Sequence, residues 1–157
     1  MWPFGRRSKS GVSGKGRLLQ QRADRRGSAN SSSISNNLGK RGETLALRML
    51  RRRGLKTLAR NYRCPAGEVD LIVLDKATRS ESGTETIAFV EVKTRSSDRH
   101  TDPQYAVNAD KQRRMRKVAN YFLTTRPADE YNVRFDVVAI CMRDGNQPEI
   151  TYIPDAF

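Results

Sequence analysis

The segment that most restricts the fold is TETIAFVEVK, Thr84 to Lys93. β-Branched and aromatic residues crowd it, Gly83 and a polar run precede it and Ser96-Ser97-Asp98 follows, so it reads as a strand. Period-two alternation places Ile87, Phe89, Glu91 and Lys93 on one face and Ala88, Val90 and Val92 on the other. The second face is wholly apolar. The first begins apolar and ends in a carboxylate and an ammonium about 6.6 Å apart, at roughly 3.3 Å of rise per residue. A strand fit for burial thus ends in two charges, which need a structural or a chemical reason.

The flanking segments supply partners. LGKRGETLALRMLRRR, Leu38 to Arg53, has helical periodicity, with Gly54 as its C-terminal cap. Ala46, Leu47 and Leu50 form its apolar stripe, and Arg41, Arg48 and Arg52 fall opposite. Glu43 precedes those three apolar residues by three, four and seven positions, so it lies on the stripe. A glutamate in the first turn that complements the helix dipole is the competing explanation. LKTLARNYR can form a strand, CPAG a turn, and GEVDLIVLD a second strand. In it Val69, Leu71 and Val73 share one face, and Glu68, Asp70, Ile72 and Leu74 the other. A polar loop, KATRSESGTE, leads to the charged strand. Antiparallel pairing of these two strands brings Asp70 near Glu91.

DPQYAV opens with a proline suited to a first helical turn, and NADKQRRMRKVANYFLTTR continues as an amphipathic helix. Met115, Val118, Ala119, Phe122 and Leu123 make its buried stripe, which extends back to Lys111 and Gln112. Arg113, Arg114, Arg116 and Lys117 give a basic surface, usually a solvated face. VRFDVVAICM is a strand in which Asp136 shares a face with Arg134 and is expected in a cross-strand ion pair, DGN is a turn, and EITYI a short edge strand. Helix, three strands, helix and one or two strands make an α/β domain with a mixed sheet.

The net charge of +13 is unevenly spread: +8 lies on residues 1–40 and +5 on the remainder. Residues 1–37 are rich in Ser, Gly and Asn and poor in aliphatic residues, so they are expected to be a disordered basic tail, with the domain over 38–157. No apolar run follows the first basic residues, so neither a secretory signal nor a membrane span is expected. The charge points to a polyanionic partner without naming it. Cys64, Cys141 and the single His100 lack the spacing of a zinc site, and the cysteines are expected to be free thiols.

Asp70 and Glu91 on one half-buried face repel by roughly 4 kcal/mol at about 4 Å and an effective dielectric of 20. Lys93 or an arginine can offset this as an ion pair. Alternatively a divalent cation can, held by carboxylates and a backbone carbonyl with sites left for water and a phosphate oxygen.

Together, GEVDLI from Gly67, FVEVKTR from Phe89, Lys111-Gln112 and RFDVV from Arg134 resemble the motifs of the bacterial YraN-type (UPF0102) family. That family is similar to Holliday-junction resolvases and other nucleases of the PD-(D/E)xK, restriction-endonuclease-like superfamily. The resemblance runs from about residue 36 to the end of the chain. It implies an αβββαβ core, a cytoplasmic location and a Mg²⁺- or Mn²⁺-dependent nuclease acting on DNA, branched or otherwise structured. Asp70 and Glu91 would be metal ligands, Lys93 the catalytic lysine and Glu43 the acid supplied by the first helix as a further metal ligand. Lys111, Gln112, Arg113 and Arg95 are the expected nucleic-acid contacts. A binding protein that keeps the fold without cleaving is the alternative, and a homodimer is compatible with the resemblance.

Overall fold

The computed structural model describes residues 36–96, 107–124, 126, 130–143, 145 and 147–157. The expected tail, apart from Asn36 and Asn37, lies outside these residues, as do His100 and the proline-led start expected for the second long helix.

Helix α1 covers residues 36–52, so it takes in the last two residues assigned to the tail. Its stripe of Ala46, Leu47 and Leu50 is buried, while Arg41, Arg48 and Arg52 are exposed. The helix stops where expected. Gly54, at φ 85°, donates its N–H to Arg51 O, and Leu55 N–H reaches back to Leu50 O at 3.1 Å. These two bonds satisfy terminal carbonyls, and burial of Leu55 closes the motif.

Five strands follow, β1 (Lys56–Cys64), β2 (Gly67–Asp75), β3 (Glu85–Ser96), β4 (Tyr131–Met142) and β5 (Glu149–Ile153), and they form one sheet in that order. All neighbours are antiparallel except β3 and β4, which run parallel. The loop expected between β2 and β3 holds a short helix, α2 (Thr78–Ser82). Its short polar side chains bond the local backbone: Ala77 N–H donates to Asp75 Oδ1, and Thr78 Oγ1 donates to Asp75 O. Helix α3 (Ala109–Leu123) crosses between β3 and β4. It starts at Ala109 because Asn108 caps it, its side chain accepting Lys111 N–H at 2.9 Å.

The sheet is covered on both faces. On one side Ala46, Leu47 and Leu50 of α1 pack against Leu71, Val73, Ala88, Val90, Val138 and Ile140. On the other, Met115, Val118, Ala119 and Phe122 of α3 pack against Ile72, Leu74, Ile87, Phe89 and Val137. β3 therefore keeps the expected alternation and is buried on both faces.

β2 departs from its expected alternation. Val69 packs with Ile72 and Leu74 on the α3 side, not with Leu71 and Val73. The two-residue rhythm is broken between Val69 and Leu71, at Asp70. In β1 the same happens one strand over: Ala59 and Tyr62 both pack toward the α3-side core, with Asn61 at φ 46° between them. A left-handed residue turns the following side chain to the face it would otherwise leave, and asparagine tolerates that conformation better than most. The β1–β2 register sets Asn61 beside Asp70, so both irregularities fall at one level of the sheet.

Candidate metal and phosphate site

The β2–β3 ladder runs from Asp75↔Thr86 to Leu71↔Val90. One step further, Asp70 faces Glu91. There a side chain takes over from the backbone: Val92 N–H donates to Asp70 Oδ2 at 2.7 Å. Asp70 and Glu91 thereby become neighbours where β2 and β3 part, as antiparallel pairing of the two strands predicts.

Glu91 is only 4% exposed. Lys93 Nζ lies 2.8 Å from its Oε1, and Lys111 Nζ lies 2.8 Å from its Oε2. The Lys111 contact is off the direction a hydrogen bond needs, so Oε2 is buried with a charge partner but no aligned donor. β3 runs on to Ser96, three residues past the expected end, and its charges Glu91 and Lys93 pair with each other, while α3 adds a second ammonium.

Burial, and then the charge of Glu91, push the Asp70 carboxyl up to about 6; the Val92 hydrogen bond and the Lys111 charge oppose the shift, and Glu43 adds to it. Glu43 therefore stands close enough to act on Asp70. Two features hold it there. A Cβ on Gly42 would overlap Thr94 Oγ1, so only glycine lets α1 lie this closely on β3. Asn61 Nδ2 donates to Glu43 Oε2 at 3.0 Å. Gly42 and Asn61 were not singled out from the sequence. Their signals were a glycine inside a helical pattern and an asparagine inside a strand pattern.

Gln112 Nε2 donates to Val107 O at 3.1 Å, bracing the segment that enters α3. Arg113 pairs with Asp110 on the surface of the same helix. Arg95 is exposed two residues beyond Lys93. Arg63 and Glu68 form an exposed pair across the β1–β2 turn. Asp136 is fully buried elsewhere and accepts hydrogen bonds from Arg134 Nε, Tyr152 OH and Asp155 N–H. It pairs with Arg134 along one strand and ties β4 to β5.

Two carboxylates, one with a buried oxygen lacking an aligned donor, suit a hard divalent cation that keeps several waters. Among the described residues no group of three or more His, Cys, Asp or Glu is arranged to hold a metal ion. Glu43, expected as a third ligand, is thus not grouped with Asp70 and Glu91 as a metal-holding set; its Oε2 instead accepts the Asn61 amide, and the acids that could hold a cation are Asp70 and Glu91.

The family described as "Uncharacterised protein family UPF0102" matches residues 42–140, a span that begins at the glycine packed on Thr94 and takes in every residue of the cluster. The chain belongs to the UPF0102 family. A UPF0102 protein of Syntrophus aciditrophicus (strain SB) is 44% identical over 120 residues, covering 76% of this chain and 87% of its own. That of Syntrophotalea carbinolica is 42% identical over 120 residues, covering 76% and 90%. A UPF0102 protein from Mycolicibacterium gilvum is 41% identical over 116 residues, covering 74% and 89%. No described helix of this UPF0102 member is long and apolar enough to cross a membrane.

Proposed function

We propose that this protein hydrolyses phosphodiester bonds in nucleic acid, with DNA of branched or otherwise structured form as the substrate and Mg²⁺ or Mn²⁺ as the cofactor. The observation that supports this reading is the meeting of Asp70 and Glu91 where β2 and β3 part, with Lys93 two residues on. Two acids brought together beside a backbone opening are costly in a protein that only binds polyanions.

Asp70 and Glu91, with the Val92 carbonyl, are the residues that would hold the cation. When bound, it supplies Lewis-acid polarisation of the phosphodiester and a more acidic water. Lys93, whose ammonium rests on Glu91 Oε1, would stabilise the attacking water and the charge that grows on the phosphate oxygens. Glu43, fixed by Asn61, orients water at the edge of the site. Arg95 and the basic face of α3 meet flanking phosphates, which makes binding strongly salt-dependent. The cytoplasm is the compartment this activity fits.

One observation favours a second reading, a binding protein that keeps the nuclease fold: both Glu91 oxygens already face lysines. The two readings part on incubation of the full chain with labelled linear, single-stranded and four-way-junction DNA. Mg²⁺- or Mn²⁺-dependent cleavage abolished by chelator supports the nuclease. Retention of DNA without cleavage under any of these conditions supports the binder.

A further inference from the structure

Glu91 is held by lysines of different character. Lys93 shares its strand, and its ammonium sits on the oxygen Oε1. Lys111 reaches in from the first turn of α3 to Oε2, the oxygen with no aligned donor. Its charge also acts on Asp70. The Lys111 ammonium thus sits directly on the Glu91 oxygen that a divalent ion would need, and near enough to Asp70 for its charge to be felt there.

Lys111 also has somewhere to go. It lines a groove of 470 Å³ whose walls include Arg63 and Arg114. Among the described residues Arg63 pairs there with the exposed Glu68, a bond of little worth in water. The charges favour an exchange as well. Asp70, Glu91, Lys93 and Lys111 sum to zero, and a divalent cation in place of Lys111 leaves one positive charge, which one phosphodiester neutralises.

We infer that Lys111 is a built-in counter-ion that a divalent cation displaces, and that the freed ammonium turns into the groove beside Arg63 and Arg114 to contact a phosphate flanking the reactive one. This rests on the nuclease reading, because it takes Asp70 and Glu91 as the cation's ligands. Together with Lys93, the lysine keeps the acid pair neutral while the site is empty. It also links cation loading to strand binding, since a phosphate in the groove favours the turned-out lysine and so favours the ion.

The test is Mn²⁺ binding by calorimetry to the full chain without nucleic acid, comparing wild type, Lys111→Gln and Asp70→Asn. Removal of the competitor tightens Mn²⁺ binding to Lys111→Gln by about tenfold or more, and Asp70→Asn loses it. Because Lys111→Gln leaves a buried carboxylate short of a partner, a second measurement uses the wild type: Mg²⁺ titration followed by the nitrogen resonance of the Lys111 ammonium, which shifts as the ion pair breaks. Mn²⁺ binding by wild type that Lys111→Gln leaves unchanged or weakens, or a Lys111 resonance that Mg²⁺ does not move, overturns the exchange while leaving the metal site standing. Failure of all three proteins to bind Mn²⁺ overturns both.

Discussion

Asp70 does the work of a backbone carbonyl: its Oδ2 takes the Val92 N–H at 2.7 Å, just past the last paired residues of β2 and β3. The two strands can separate here without leaving that donor unsatisfied, and the same hydrogen bond holds the Asp70 carboxyl near enough to Glu91 for the second charge to raise its pKa. The arrangement has a cost in stability, and several consequences can be measured.

The cost depends on pH. Folded Asp70 keeps its proton to about 6, against an ordinary value of 3.8. The fold therefore binds more protons than the unfolded chain between those limits, and stability falls as pH rises through that window, with the full cost present above it. In chelator, Asp70→Asn should gain about 1–3 kcal/mol in urea unfolding near neutral pH and nothing below about pH 4. Saturating Mg²⁺ should stabilise wild type and leave the variant unchanged.

Gly42 fixes the distance between α1 and β3. Its missing side chain is the space that Thr94 occupies, with Thr94 Cβ 2.9 Å from where a Cβ would stand. Gly42→Ala should cost about 1–3 kcal/mol by overpacking. Thr94→Ala in the same chain removes the nearest atom, so a double-mutant cycle should show part of the loss restored. Independent, additive effects would mean that the helix does not rest on this contact.

Asn61 combines a backbone and a side-chain role. Asn61→Gly keeps access to the φ of 46° and should unfold within about 1 kcal/mol of wild type, whereas Asn61→Ala should lose about 1–2 kcal/mol more from the left-handed backbone. Both lose the amide that holds Glu43. If that amide acts through Glu43, Asn61→Gly and Glu43→Gln should lower cleavage to similar extents, and the double variant should be no worse than either.

The Arg134–Asp136–Tyr152 network serves as an internal control. Tyr152 OH donates to Asp136 Oδ2 at 2.6 Å, and burial together with that bond raises the tyrosine above its ordinary value. Tyr152→Phe removes a donor from a fully buried carboxylate and should cost about 1–3 kcal/mol. Cleavage by the folded variant should match wild type, because the network is not part of the Asp70–Glu91 cluster.

Much of this architecture could be read from residue patterns. The buried stripes of α1 and α3 followed from helical spacing, and the alternation in β3 put Glu91 and Lys93 on one face. The Asp70–Glu91 encounter followed from antiparallel pairing of neighbours. The breaks in β1 and β2 were not legible: in β1 one left-handed residue, Asn61, suffices to reset the alternation, and no periodicity announces either break. The short helix at Thr78–Ser82 also escaped, since its polar side chains bond their own turn and carry no apolar stripe. Lys111 was visible at the edge of a buried stripe, but its partner was not, because which carboxylate a long side chain reaches is decided by the packing of α3 on the sheet.

The most direct measurement is the single-turnover rate of Mg²⁺-dependent cleavage of a junction or duplex DNA, taken for wild type, Glu91→Gln and Lys93→Ala with DNA binding measured in parallel. Loss of cleavage by about a hundredfold or more in both variants, with binding within a few-fold of wild type, is the expected result. Metal-dependent cleavage that persists at the wild-type rate in either folded variant would contradict a reaction centred on Asp70, Glu91 and Lys93.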